Sequence, residues 1–207
     1  MPDTPRTPLD IPLVEAPTRA AWRAWLEANH ATSGSVWLVL NRKDSGLPVL
    51  PAAEAAEEAL CFGWIDSRPG KLDARRSLLL MSPRKPGSAW SGLNKDRVAR
   101  LAAAGLMAPA GIAAVDRAKA DGSWVLLAGA TALVEPPDLL AALAAAPGAE
   151  AAWAGFPPSH RRANLEWIAQ AKRPDTRAAR IAQIADRATR GERAKTWPRV
   201  AGGKGRD

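Results

Sequence analysis

After the proline pair Pro136-Pro137 this chain offers no strand signal; its pattern is helical as far as Gly191. Any sheet must therefore be built from the first part of the chain, where short β-branched and apolar runs are bounded by Gly and Pro. That asymmetry predicts an α+β fold: a small antiparallel sheet with flanking helices, followed by a compact all-helical C-terminal unit. The implied organisation is a loose segment over residues 1–12, an α+β domain over 13–135, a helical domain over 136–194 and a flexible basic tail over 195–207.

Thr18 stands as an N-cap for a helix to about Asn29, with Trp22, Trp25 and Leu26 on one face. Ser35–Leu40 (SVWLVL) reads as a buried strand. Pro51 opens a helix ended by Gly63, with Glu54, Glu57 and Glu58 as its solvated face. Trp64–Arg68 and Ser77–Ser82 read as a hairpin joined through residues 69–74. Ser88 or Ser91 caps the next helix, which runs to Gly105, and Pro109 starts another ending near Gly122. Residues 123–135 are ambiguous, with Trp124–Leu127 a possible short strand. Beyond them, helices are expected over 138–146, from Ser159 to about Lys172, and from Pro174 to near Gly191.

Charge is segregated along this outline. The chain carries 29 Lys/Arg and 21 Asp/Glu, a formal net charge of +8. From Arg68 to Arg100 nine Lys/Arg face two Asp, and from Ser159 to the end thirteen face five. The two stretches between and before them are mildly acidic. Solubility alone does not demand such blocks, so they point to an anionic partner, nucleic acid or small anion.

Several chemistries are disfavoured by composition. With no Tyr, two His and one Cys, tyrosine catalysis is excluded and a zinc site has too few ligands. No metal and no cofactor is expected. Cys61 lies in an apolar phrase and reads as a buried core thiol. His30 reads as a helix-end residue, and His160, beside Arg161 and Arg162, as a surface or capping group rather than a catalytic base. The N-terminal twenty residues lack a basic stretch followed by an apolar one, and no apolar run approaches the length of a membrane span. A soluble cytoplasmic protein is the expectation.

Two sets of residues stand out. The first surrounds the stiff turn Pro83–Gly87: Arg84 and Lys85 supply charge, Ser88, Ser91 and Asn94 supply polar groups ahead of a helix N-terminus, and Trp90 adds an aromatic edge. Strand alternation places Trp64, Asp66 and Arg68 on one face nearby. The second is a basic stripe on the last two helices: Arg161, Arg162, Lys172, Arg173, Arg177, Arg180, Arg187 and Arg190. On the last helix Ile181, Ile184 and Ala188 form the adjoining apolar face. No helix presents a base-reading set, so contact with nucleic acid would be of low sequence specificity.

Four phrases carry a family resemblance: EALCFGWIDS (Glu58–Ser67), SPRKPGSAWSGLNKDRV (Ser82–Val98), AGLMAPAG (Ala104–Gly111) and PPSHRRANLEWIAQAKRPDTRAARI (Pro157–Ile181). Together they resemble the YdeI/OmpD-associated family, the bacteriocin-protection proteins, across nearly the whole chain beyond residue 15. Roughly Pro136–Arg193 is similar to that family's helical OmdA domain. The resemblance implies protection against bacteriocins or cationic antimicrobial peptides, carries over no catalytic residues, and includes members described as periplasmic. A +8 chain does not sequester cationic peptides by simple attraction, so protection of this kind would be indirect.

Three readings follow. The first is a non-enzymatic binder of an anionic partner through a basic, Trp-edged surface. The second is a small-molecule-binding or catalytic α+β domain, with a pocket where Trp64, Asp66, Arg68, Arg84 and Trp90 converge. The third is a protein–protein interaction module exposing an apolar patch around Trp153, Phe156 or Trp167; its protein partner is left open.

Overall fold

The computed structural model describes residues 11–192. Most of the expected loose N-terminal segment and the whole of the basic tail lie outside them. The chain divides into two compact units, Met1–Trp124 and Val125–Asp207.

The first unit runs β1 (Leu13–Glu15), α1 (Arg19–Asn29), β2 (Val36–Asn41), α2 (Ala52–Cys61), β3 (Trp64–Lys71), β4 (Arg76–Pro83), α3 (Gly92–Ala103) and α4 (Pro109–Ala120). Its sheet has the order β1-β2-β4-β3. The β2–β4 and β4–β3 pairs are antiparallel, whereas β1 adds to β2 in parallel and makes the sheet mixed. Central β2 is buried on both faces, as its unbroken apolar run requires. Edge strand β3 runs through Pro69-Gly70, tolerated there because proline lacks a ladder donor.

One sheet face, with Leu38, Leu79, Met81 and Trp64, joins Trp22, Leu26 and Leu60 in the main core. The other face holds a smaller cluster around Trp37, Val39 and Leu78. Helix α1 begins where the sequence predicts, with the Thr18 hydroxyl accepting from Ala21 N at 3.1 Å. Helix α4 lies unusually close to the end of α2. A Cβ on Gly111 would come within 2.2 Å of the Cys61 carbonyl oxygen, so only glycine fits.

Two expectations for this unit need correction. Glu58 is not solvated: it is 3% exposed, because Arg19 Nε and Arg23 Nη1 from α1 donate to its two oxygens at 2.6 and 2.8 Å. Trp124–Leu127 forms a turn rather than a strand.

In the second unit, α5 (Ala128–Thr131), α6 (Pro137–Ala145), α7 (Ala149–Ala154), α8 (Pro158–Ala169) and α9 (Pro174–Thr189) are all helical. The core joins Leu139, Leu143, Trp153, Leu165, Ile168, Ile181, Ile184 and Ala188. The expected apolar face of α9 is thus the buried one. No described helix is long and apolar enough to cross a membrane.

Candidate functional site

The turn after β4 folds back on itself. Arg84 N donates to the Gly63 carbonyl at 3.0 Å, and its side chain turns inward rather than out. The guanidinium carbon lies 3.7 Å from the Trp90 ring centroid. Nη2 donates to Ala89 O at 2.7 Å, while Nε and Nη1 are buried with no hydrogen-bond partner. At 6% exposure, Arg84 is a buried cation without an ion pair among the described residues. Burial pulls its pKa down to about 10, against the pull of the Asp66 charge.

The rest of the turn is locally committed. Ser88 Oγ donates to Lys85 O at 2.6 Å. Ser91, not Ser88, caps α3, its hydroxyl accepting from Asn94 N at 3.3 Å. Asn94 Oδ1 accepts from Arg97 at 3.1 Å. Gly87 N donates to Asp121 Oδ2 at 2.9 Å, and Asp121 Oδ1 accepts from Ser123 N. Hydrogen bonds from Ser123 and Gly87 hold the Asp121 carboxyl below its usual range. Within this turn Lys85 is exposed and makes no ion pair among the described residues.

Strand β3 does not gather the predicted pocket. Trp64 is core, its indole donating to His30 O at 3.1 Å and meeting Trp25 edge-on. Trp90 is likewise 2% exposed. Asp66 pairs across the sheet with Met81, and a bulge follows before Pro69. That extra residue breaks the alternation, and Arg68 lies over Trp37, whose ring belongs to the opposite sheet face. Trp64, Asp66 and Arg68 therefore do not share a face.

A concavity of this unit lies instead between α3 and α4. Both helices pack against α2, and between them runs a groove of about 320 Å³. α3 contributes Lys95, Val98, Ala99 and Ala102, and α4 contributes Ile112, Val115, Asp116 and Lys119. Each set follows the i, i+3, i+4, i+7 spacing of one helix face. Met107 and Trp124 complete the lining. Ile112 is 50% exposed although apolar. The Lys95 and Lys119 ammonium groups converge on Trp124, 5.5 and 5.8 Å from its ring centroid. Trp124 packs on Trp90 at 5.0 Å, so a file of rings and cations runs from Arg84 to the groove. Sequence reasoning missed Trp124, Ile112 and Lys119. Their signal was the paired periodicity, which says nothing about whether two stripes face each other.

The arginine stripe of the second unit is largely spent on the protein itself. Arg161 donates to Glu135, which also accepts from the Trp153 indole at 3.1 Å. Arg177 forks onto Asp138 at 2.6 and 2.8 Å, and Arg190 onto Asp186 at 2.7 Å through both nitrogens. Arg180 donates to Trp167 O and lies over that ring. Arg162, Lys172 and Arg173 stand outside the ion pairs of the described residues. Trp153 is 4% exposed, and Phe156 and Trp167 pack partly buried against the same core, so the expected apolar docking patch does not form around them.

Cys61 is buried, and burial pushes its thiol up. His160 is buried rather than superficial: its Nε2 lies 3.0 Å from the Asn164 amide nitrogen and its ring stands edge-on to Phe156.

Residues 132–191 match the family described as "Bacteriocin-protection, YdeI or OmpD-Associated". The second unit carries the OmdA match. It lies where the sequence phrases placed the resemblance. Residues 14–114 match a separate family, described as a domain of unknown function (DUF8412). No curated protein and no solved structure matches the chain. The OmdA region holds the paired arginines, whereas the groove lies in the first unit, with α3 and the Ile112 end of α4 inside the other match.

Proposed function

We propose that this chain is a non-enzymatic protein of the bacteriocin-protection type whose first unit binds an anionic partner. One observation carries the reading: Lys95 and Lys119 each lie against the Trp124 ring, 5.5 and 5.8 Å from its centroid, and line one apolar groove, with no ion pair among the described residues. An ammonium held against an indole keeps its charge available while ordering its stem. Exposed Lys85 and Arg117, across the Trp90–Trp124 contact, extend the same positive surface.

The OmdA description supports protection as the biological setting. With a net charge of +8, the chain gains nothing from electrostatics in capturing a cationic peptide, so the protective step acts on an anionic molecule instead. A lone buried thiol suits the reducing cytoplasm, which is the compartment assigned in this reading.

The test is binding of tripolyphosphate and of a labelled single-stranded oligonucleotide to the full chain at low and physiological salt. The reading predicts binding of at least one probe that weakens with salt and is lost in the Lys85→Glu/Lys119→Glu variant. Absence of binding to either at low salt, together with failure of small organic anions, overturns it.

A further inference from the structure

We infer that the α3–α4 groove is the binding site for an amphiphilic monoanion, a medium-length hydrocarbon or aromatic body with one carboxylate head. The inference rests on the anion-binding reading and names the ligand class that this site would take. Its volume, about 320 Å³, sits at the lower end of the roughly 300–1,000 Å³ of small-molecule sites. At about 30 Å³ per heavy atom, the share of one molecule in liquid water, it accommodates on the order of ten such atoms.

The lining divides by chemistry. Val98, Ala99, Ala102, Met107, Ile112 and Val115 offer hydrocarbon without a hydrogen-bonding side chain. Half-exposed Ile112 gains most from being covered. Polar groups collect elsewhere: Lys95, Lys119 and Asp116. Two ammoniums and one carboxylate leave the rim with a single positive charge. That balance matches one negative head, and a polyphosphate, whose further charges would face Asp116, is the weaker fit to this groove. The head is seated by Lys95 and Lys119, whose approach to the Trp124 ring limits how far they can swing away. A ligand with a cationic head meets both lysines, and an anion without a tail leaves the apolar floor uncovered.

Isothermal titration of the full chain with decanoate, decyltrimethylammonium and inorganic phosphate at physiological salt separates the possibilities. Decanoate is expected to bind one per chain. Phosphate and the cationic amphiphile are expected to bind at least about tenfold more weakly, the worth of one charge-assisted contact. Lys95→Gln/Lys119→Gln should weaken decanoate by about tenfold or more on the same grounds. Ala99→Leu, which adds bulk to the groove from an exposed position, should reduce decanoate binding while leaving the urea unfolding midpoint of the chain unchanged. If tripolyphosphate or oligonucleotide binds and decanoate binds no better than phosphate, the ligand class is wrong although the anion-binding reading stands. Equal binding of decanoate and decyltrimethylammonium shows a groove that selects for apolar bulk alone, which overturns the inference. Failure of every anion overturns both.

Discussion

The two units carry similar cations in opposite situations. In the second, Arg161, Arg177 and Arg190 are each forked or hydrogen-bonded onto a carboxylate of their own unit. In the first, Lys95 and Lys119 rest on an indole, and Arg84 is buried against another with two nitrogens unpaired. Net charge in a stretch of sequence therefore says little about a binding surface. What counts is which cations fold back onto acids and which are left over. By that measure Arg161, Arg177 and Arg190 are committed to their own unit, whereas Lys95 and Lys119 carry no ion pair among the described residues.

The contrast can be broken most severely inside the first unit, where pairing also occurs. Glu58 takes both Arg19 and Arg23 while 3% exposed. Glu58→Ala leaves two guanidiniums facing a dry site and should cost about 3 kcal/mol in urea unfolding, the low end for a broken buried pair because the arginines remain partly solvated. A loss near zero would mean that pairing does not stabilise this molecule.

Next in size is Arg161→Ala, which strips the partly buried Glu135 of its charged partner and should cost about 2 kcal/mol by the same measurement. Acid titration sharpens this. Burial pushes the Glu135 carboxyl up, but hydrogen bonds from Arg161 and Trp153 outweigh it and hold it low. Arg177 lowers Asp138, and Arg190 lowers Asp186. A depressed carboxylate stabilises fully above its unfolded pKa, about 4, and loses that contribution as pH falls through the folded value. Thermal midpoints should thus decline below about pH 4, and less steeply in Arg161→Ala.

Arg84→Met tests the opposite sign. Removing a buried, unpaired charge should leave stability unchanged or raise it by about 1 kcal/mol. The folded pKa, about 10 and well below the ordinary arginine range, means that the folded state sheds its proton first. The Arg84 penalty is therefore complete at neutral pH and eases as pH rises through 10. A marked fall in midpoint for Arg84→Met would show that the stack on Trp90 outweighs the burial cost. Smallest of all, Lys95→Gln and Lys119→Gln should each shift unfolding by less than about 0.5 kcal/mol, as for surface positions without partners.

How much of this could be seen in the sequence depends on distance along the chain. Helix α1 was legible because Thr18, Trp22 and Leu26 act within two turns. Strand β1 was not: its three residues, Leu13–Glu15, carry no period, and their pairing with β2 is decided some two dozen residues later. The face of Arg68 was misassigned because the bulge before Pro69 resets the alternation, a signal visible only as Pro-Gly inside a strand. Glu58 looked solvated because its arginines come from another helix. The turn Pro83–Gly87 reads in the sequence as a candidate anion site, yet its Arg84 points inward to Trp90. The groove stripes were present as spacing on α3 and α4, but only packing on α2 shows that they face one cavity.

The most direct test of the unpaired-cation account is a titration of isotope-labelled full chain with decanoate, followed by backbone and indole N–H chemical shifts. The account predicts changes concentrated at the Trp124 indole and along Lys95–Lys119, with residues 161–190 unmoved. Changes centred on 161–190, with Trp124 silent, would contradict it.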